Sequence, residues 1–258
     1  MSFTGTELTT WLATLLWPFM RIGAMFAAAP IFSARSVPVR IRVLLAFFIS
    51  WILIPVIPEP PAVELISGEA LIISLSQVVI GVAMGFILQM VFAAFIIAGQ
   101  SIAAAMGLGF ASIIDPQNGM QVPVVSQMFL IMATLIFLAL NGHLIFIEVL
   151  ANSFKSLPIG PFAPSSDGLW RLVVWGSDMF AGGVLIALPA IAALLLVNLA
   201  FGVTSRAAPQ LNIFAVGFPV MILVGMVFLI LTLPTITSHL SRLLLLALEL
   251  DKNHILVM

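Results

Sequence analysis

The chain has 258 residues, of which 62% are hydrophobic and 7% are charged. Because an ordinary soluble domain carries about 25% charged residues, this composition excludes a soluble protein and predicts an integral membrane protein. The net charge of −1 gives no sign of nucleic-acid binding, and the absence of cysteine excludes disulfides, thiolate metal sites and thiol catalysis.

The first apolar segment, residues 8–32, is long enough to cross a bilayer at roughly 20 residues per crossing. It contains Pro18 and, near its middle, Arg21. A charge at that depth usually faces protein or a water-filled cavity. The alternative, which we favour, is that Arg21 snorkels to the interface or binds a carbonyl that a kink at Pro18 exposes.

A basic cluster of Arg35, Arg40 and Arg42 follows, and the positive-inside rule predicts that it is cytoplasmic. The second segment, residues 43–57, is short for a span and has a length that more often packs inside protein or re-enters the membrane. Residues 58–70 are rich in proline and glutamate, which predicts a stiff acidic linker on the other side of the membrane.

The third segment, residues 71–98 or beyond, would be a helix of about 40 Å at 1.5 Å per residue. It therefore exceeds the hydrocarbon core and must tilt or project. Gly81 and Gly85 form a GxxxG motif, and Ala94 and Ala98 repeat the small-residue spacing. These four residues are the candidate helix-packing positions, because small side chains admit another helix backbone closely.

The central stretch, residues 99–123, joins the third segment to the next one and is too apolar for a solvated loop. Its only formal charge is Asp115. Non-helical backbone at membrane depth is tolerated only where protein buries it or where it lines a water-filled cavity. The stretch is therefore either an element folded into the interior of a membrane assembly or a re-entrant hairpin that only packs the core.

The fourth segment is predicted at residues 124–140. His143 and Glu148, just beyond it, could form a proton pair, but their spacing of five is not the helical neighbour spacing of three or four. An interfacial role is favoured for both. Residues 155–171 are rich in proline, serine and glycine and predict a loop, with Ser165, Ser166 or Asp167 capping the next helix.

The last two segments, residues 173–203 and 213–233, are predicted to form a helical hairpin. Pro234 is taken as the end of the second of them. The leucine-rich tail at residues 239–250 is too short to span and predicts a partner-docking or interfacial helix. The fold class is therefore all-α, with about six apolar helical segments, several of them interrupted by proline or glycine.

Catalytic and cofactor-binding motifs are absent. The chain contains no HExxH, GxSxG, Walker A or GxGxxG motif, and its three histidines are scattered. Arg21, Asp115 and Asp178 are the candidates for an ion pathway, and none has an evident partner in the sequence. We therefore expect no enzyme activity, no cofactor and no metal site.

The sequence resembles the export-gate family of type III secretion, and its flagellar branch in particular. The resemblance covers essentially the whole chain. It is carried by the run APIFSARSVPVRIRVLLAF within residues 28–48, by the central motif GQSIAAAMGLGFASIIDPQNG, and by Phe218-Pro219 and Leu233-Pro234. The central motif is the most specific of these features.

The resemblance implies a subunit of the channel through which unfolded flagellar proteins leave the cytoplasm, in the inner membrane at the flagellar basal body. It implies FliP-like and FliQ-like partner subunits, FlhA-like and FlhB-like export components, export substrates in transit and membrane lipid. It also implies one membrane domain with a FliP-like part, residues 1–172, and a FliQ-like hairpin and tail, residues 173–258.

In such proteins the central loop plugs the closed channel, which matches residues 106–122 here, called the plug segment below. The candidate plug residues are Met106, Gly107, Leu108, Gly109, Phe110, Ile113, Ile114, Asp115, Pro116, Gly119 and Met120.

Two other functions compete with an export gate: a secondary transporter of a small solute or ion with the central loop as its gate, and a purely structural membrane scaffold. A transporter would work alone or as a homo-oligomer and bind a defined solute. A gate subunit would be found with different polypeptides.

Overall fold

The computed structural model describes residues 5–34, 36–108, 123–162, 165–207 and 213–252. These residues form α-helices and one short 3-10 helix, and no strand occurs among them. The helices are α1 (Gly5–Ala28), α2 (Val39–Leu53), a 3-10 turn (Ile54–Val56), α3 (Gly68–Ala105), α4 (Val124–Ala139), α5 (Gly142–Ser156), α6 (Ser166–Ala207) and α7 (Ile213–Lys252). The predicted all-α class is confirmed.

Five helices of the described ranges are long and apolar enough to cross a membrane, and a sixth span results if α4 and α5 are one broken crossing. The five are α1, α2 with its 3-10 turn, α3, α6 and α7. This agrees with the expected number of apolar segments. At 1.5 Å per residue, the 38 residues of α3 extend about 57 Å, so this helix does exceed the roughly 30 Å hydrocarbon core.

The chain divides into two compact units. Unit 1 contains residues 1–90, 141–175 and 244–258, and unit 2 contains residues 91–140 and 176–243. The long helices α3, α6 and α7 each contribute to both units. Each unit therefore has its own packed core, which is described separately below.

The structure corrects the prediction for α2. The helix packs on α1, but most of its side chains are exposed, including Phe48, Trp51 and Ile52. Together with its 3-10 turn the helix forms an 18-residue segment, Val39–Val56, that is long and apolar enough to cross a membrane, so it is not too short for a span. That it packs inside protein stays a prediction. Its length and apolar composition reflect a surface that lipid or another polypeptide covers, because such a surface is unfavourable in water.

A helix that the sequence prediction left out lies between the fourth segment and the following loop. Asn141 has a left-handed backbone, with φ 55°, and separates α4 from α5. The buried residues Phe146, Leu150 and Phe154 of α5 recur at the helical spacing of four. The short length of α5 and the polar Asn141-Gly142-His143 start conceal this pattern in the sequence.

The N-terminus of α6 is capped by a serine hydroxyl. The backbone N–H of Gly168 donates a hydrogen bond of 3.0 Å to Ser165 Oγ, which satisfies one of the free donors of the first turn. The predicted cap at Ser165 is confirmed. The helix then starts at Ser166, seven residues before the predicted position at residue 173.

The structure also corrects the predicted end of the last segment at Pro234. Helix α7 continues through Pro234 to Lys252, so the leucine-rich tail is part of it. A stripe of buried residues at spacings of three and four crosses the proline; its members are Leu229, Thr232, Ile236, Leu240 and Leu243. Uninterrupted packing of this stripe outweighs the loss of one backbone hydrogen bond at the proline.

Candidate functional site

The described part of the plug segment is its beginning, at the C-terminal end of α3. Met106, Gly107 and Leu108 follow directly on the last helical residue, Ala105. The other candidate plug residues lie outside the described residues; they are Gly109, Phe110, Ile113, Ile114, Asp115, Pro116, Gly119 and Met120.

Helix α3 ends in a Schellman motif. The N–H of Leu108 donates to the carbonyl of Ala103, and the N–H of Gly107 donates to the carbonyl of Ala104, both at 3.0 Å. Gly107 has φ +80°, a left-handed conformation that glycine adopts without steric penalty. Gly107 is thus held in a helix cap, which is a defined stop and not a loosened stretch of backbone.

The beginning of the plug segment packs on α7. The Met106 side chain is buried and lies against Gly225, so closely that a Cβ at position 225 would overlap the Met106 Cγ, Sδ and Cε atoms. The Phe218 ring lies 3.5 Å from the point where a Cβ on residue 107 would stand. Phe218 and Gly225, about two helical turns apart on α7, therefore hold the end of α3.

Two further close contacts in unit 2 depend on glycines. A Cβ at Gly183 of α6 would stand 2.8 Å from the carbonyl oxygen of Ala94 in α3. Gly99 of α3 lies against the backbone of Ser126 in α4, and Ser126 Oγ donates a hydrogen bond to the carbonyl of Ile96 at 3.2 Å. Helix α3 thus meets α4, α6 and α7 at small-residue positions, two of which use backbone contacts.

The small-residue positions of α3 predicted from the sequence lie in both units. In unit 1, a Cβ at Gly81 would overlap the carbonyl oxygen of Arg21, and one at Gly85 would stand 2.7 Å from the carbonyl oxygen of Met25. In unit 2, Ala94 and Ala98 are completely buried. The GxxxG face therefore lies against α1 of the same chain.

Arg21 is the buried charge of unit 1. Its Nε donates to Gln77 Oε1 at 2.9 Å, and its Nη2 donates to the carbonyl of Leu157 at 2.8 Å. Its Nη1 donates to the carbonyl and the hydroxyl of Ser153, at 3.0 and 3.2 Å. The guanidinium carbon lies 4.1 Å from the centroid of the Phe154 ring, a cation–π geometry.

These contacts correct the favoured interpretation of Arg21. The side chain does not snorkel, because it is completely buried, and the carbonyls it binds belong to the end of α5 and not to a kink at Pro18. Leu157 is the C-cap residue of α5, so the guanidinium places a positive charge where the helix dipole favours one. Arg21 thereby joins α1, α3 and α5.

A proton or metal site does not form in the part of the chain that the structure describes. Glu148 and Asp178 are exposed, and Nδ1 of His143 has no hydrogen-bond partner among the described residues, so His143 and Glu148 do not form the alternative proton pair. No group of three or more metal-ligating side chains occurs within the same ranges.

Sequence reasoning missed several residues that build these contacts. Gly225 and Gly99 mark close approaches, while Ser153 and Leu157 supply the acceptors for Arg21. An isolated glycine inside a helix costs roughly 1 kcal/mol relative to alanine, so Gly99 and Gly225 could have been flagged as packing positions. No sequence signal points from Arg21 to Ser153 or Leu157.

Comparisons with known proteins extend over nearly all of the helices. Residues 12–247 match the family described as Bacterial export proteins, family 1. The flagellar biosynthetic protein FliR of Escherichia coli (strain K12) is 38% identical over 243 residues, which cover 94% of this chain and 93% of the relative. FliR of Aquifex aeolicus (strain VF5) is 37% identical over 232 residues, which cover 90% of this chain and 89% of that relative. FliR of Bacillus subtilis (strain 168) is 33% identical over 238 residues, which cover 91% of this chain and 92% of that relative.

These matches confirm the resemblance to an export family, and together with the membrane-spanning helices they place the protein in the bacterial inner membrane. The match reaches from α1 to the last turns of α7, so it includes Arg21, the GxxxG face and the plug segment. The chain belongs to the bacterial export proteins, family 1.

Proposed function

We propose that this chain is a non-enzymatic subunit of the flagellar protein-export gate, and that it forms the export channel together with FliP-like and FliQ-like subunits. The observation that carries the proposal is the similarity to flagellar biosynthetic proteins FliR along nine-tenths or more of the chain. FlhA-like and FlhB-like components are proposed as further partners, and unfolded flagellar proteins are the substrates in transit.

The exposed surface of α6 supports assembly with another subunit. Asp178 is exposed on this helix, on the same side as the exposed apolar residues Val174 and Leu185, at helical spacings of four and seven. A carboxylate that faces hydrocarbon is costly, and such residues usually face protein or water. Cover by another subunit, or contact with an aqueous channel, satisfies this carboxylate better than lipid does.

The proposed division of the chain places a FliP-like part at residues 1–172 and a FliQ-like hairpin and tail at residues 173–258. Helices α6 and α7 support the second part, because Leu243 near the end of α7 packs on Gly182 in the first half of α6. That pairing is antiparallel, as a hairpin with a short connection at residues 208–212 requires.

The plug segment is proposed to close the channel until a substrate passes. It is almost free of charge, and an apolar constriction blocks ions by dewetting without a tight steric seal. Methionine and leucine side chains re-pack readily around varied sequences, which suits a seal that different substrates must cross. The Schellman cap, which ends α3 at Met106–Leu108, supports a change from helix to a separate segment at this point.

The test is made on the complete complex in its membrane. Deletion of residues 109–121 leaves the cap at Gly107 in place and should increase the leak of small ions through the resting complex. The chain has no native cysteine, so a single cysteine at Ser112 can be crosslinked to a cysteine in a stalled export substrate. Gly68→Cys, at the start of α3, is the matched control and should stay uncrosslinked.

The proposal fails at two separable points. If the chain purifies as a functional homo-oligomer that moves a defined solute, it is a transporter and not an export-gate subunit. If the assembled, export-competent complex neither leaks after the deletion nor crosslinks at Ser112, the segment packs the core and does not plug the channel.

A further inference from the structure

Helix α5 has one buried face and one exposed face. The buried face contains Phe146, Leu150 and Phe154, together with Ser153, which binds Arg21. The exposed residues, called the outer face below, are Asn141 at the N-cap and then Leu144, Ile145, Glu148, Asn152 and Lys155. At 3.6 residues per turn, all of them lie within about 60° of Glu148 around the helix axis, so they form a single stripe.

The outer face is mostly polar, and two of its residues are charged. Glu148 lies at its centre, and Lys155 follows seven positions later, about 10.5 Å further along the helix axis. Side chains on one helix pair at spacings of three or four, so Glu148 and Lys155 are not placed to neutralise each other. Each charge therefore needs polar surroundings of its own.

Helix α2 shows a different kind of exposed surface in the same unit. Its exposed residues include Phe48, Trp51 and Ile52, which suit contact with lipid or with apolar protein. On α5, a long side chain near the helix end such as Lys155 can extend to the membrane interface. The shorter side chains of Glu148 and Asn152, near the middle of the helix, cannot do so, and a carboxylate that faces hydrocarbon is costly.

We propose that the outer face of α5 borders water in the assembled protein, so that α4 and α5 together do not form a crossing exposed to lipid. By length and composition this pair, bent by 69°, is the candidate for a sixth span. The position of Arg21 agrees with water at this face. The guanidinium lies against the opposite side of α5, about one helix diameter or roughly 10 Å from that water, and a nearby polar solvent reduces the cost of a buried charge.

A single cysteine at Asn152 tests the inference in the complete complex, held in lipid nanodiscs that leave both membrane faces accessible. The chain has no native cysteine, so only the introduced thiol of this chain reacts. A charged, membrane-impermeant methanethiosulfonate should label Asn152→Cys at least about tenfold faster than two controls, because the reactive thiolate forms in water. The controls are Leu150→Cys on the buried face of α5 and Ile52→Cys on the exposed apolar face of α2.

Two results would overturn the aqueous face. Labelling of Asn152→Cys as slow as that of Ile52→Cys would mean that lipid or apolar protein covers α5 as well. Labelling that appears only after the subunits are separated would mean that a partner subunit covers the outer face. If the Asn152→Cys complex does not assemble, Glu148→Cys, one turn away on the same face, is labelled in its place.

The water at this face has two possible sources, the path of the exported protein and the membrane surface. Labelling of a complex that holds a stalled export substrate separates them, and this arm alone rests on the proposed function. Protection by the substrate would place α5 beside the export path, and unchanged labelling would place it at the membrane surface; both results support an aqueous face. Slow labelling without substrate overturns the aqueous face and leaves the export function untouched.

Charge reversal at Glu148 is a second measurement. Glu148→Lys should yield assembled complex within about twofold of the native amount, because water accommodates a charge of either sign. Glu148→Gln, which keeps the size of the side chain and removes the charge, is the matched control. A tenfold or greater loss of complex for Glu148→Lys would contradict the aqueous face, since it would mean that a group of another subunit binds the carboxylate.

Discussion

The interiors of the two compact units are stabilised by different kinds of contact. The buried polar residues of unit 1 include a charged one, Arg21, together with Ser50, Ser76, Gln77 and Ser153. In unit 2, the buried polar residues within the described ranges are only Ser126 and Thr232, and neither is charged. Both units use close approach at glycines, but unit 2 combines it with large apolar side chains and with no buried charge among its described residues.

The difference matters for which part of the molecule can change shape. A guanidinium with four hydrogen bonds requires each acceptor at a set distance and direction, so unit 1 has one arrangement of α1, α3 and α5. Contacts between methionine, phenylalanine and glycine depend on shape alone and tolerate small shifts. Unit 2, which has no buried charge among its described residues, is therefore the more adaptable of the two.

Loss of Arg21 should have the largest effect. Arg21→Met removes the donor that the Leu157 carbonyl binds and the donor that Gln77 Oε1 binds. The Nε2 of Gln77 already lacks a hydrogen-bond partner among the described residues, so the buried Gln77 side chain would lose its bond to Arg21 as well. We expect a loss of about 2–5 kcal/mol of stability, measured as a fall in the thermal midpoint of the purified complex. Arg171→Met, which changes an exposed arginine, is the matched control, and an equal fall in both variants would contradict a special role for Arg21.

A glycine that meets backbone in unit 1 should come next. Gly81→Ala forces a methyl group against the carbonyl oxygen of Arg21, which cannot rotate away, and should destabilise the complex by about 1–3 kcal/mol. Gly23→Ala is the control within α1, because nothing lies within 4 Å of its Cβ position. The control should gain up to about 1 kcal/mol from helix propensity, so opposite signs are expected. The same sign for both would show that this face is not close-packed.

The corresponding change in unit 2 should be smaller. At Gly183 an added Cβ would meet the Ala94 carbonyl at 2.8 Å and the movable Ile97 side chain at 3.0 Å, so Gly183→Ala should cost about 1–2 kcal/mol. Gly202→Ala lies in the same helix with open space around it. A thermal midpoint for Gly183→Ala at or above that of Gly202→Ala would show that unit 2 does not depend on the close approach at Gly183.

An effect no larger than that at Gly183 is expected at the helix cap. Gly107→Ala places a side chain at φ +80°, which costs roughly 1–2 kcal/mol, whereas Gly107→Asn should recover part of that loss because asparagine tolerates the left-handed region. Thermal midpoints of the two complexes compare the costs directly. If alanine and asparagine behave alike, the cap geometry at Gly107 is not a determinant of stability.

The local pattern of the sequence was sufficient to predict the membrane location, the all-α class and the small-residue face of α3. Those features follow from composition and from spacings of a few residues, so a window of neighbouring positions contains the information. The same local reasoning failed for α5 and at Pro234. The polar start of the 15-residue helix α5 is typical of a loop, and Pro234 is typical of a helix end. The buried face of each helix, which shows that the helix continues, is known only from the structure.

The partners of Arg21 and the packing of Met106 could not be predicted from local sequence, because both join residues that are far apart in the chain. The acceptors for Arg21 lie 56, 132 and 136 positions away along the chain, and Met106 at the end of α3 packs against Gly225 in α7. Residues that are close in the sequence do not identify such partners. A buried arginine can bind any acceptor, and a glycine can pack against any side chain, that the fold brings into contact with it. Local composition is therefore enough to predict which segments enter the membrane, whereas the packing of distant helices sets how those segments are joined.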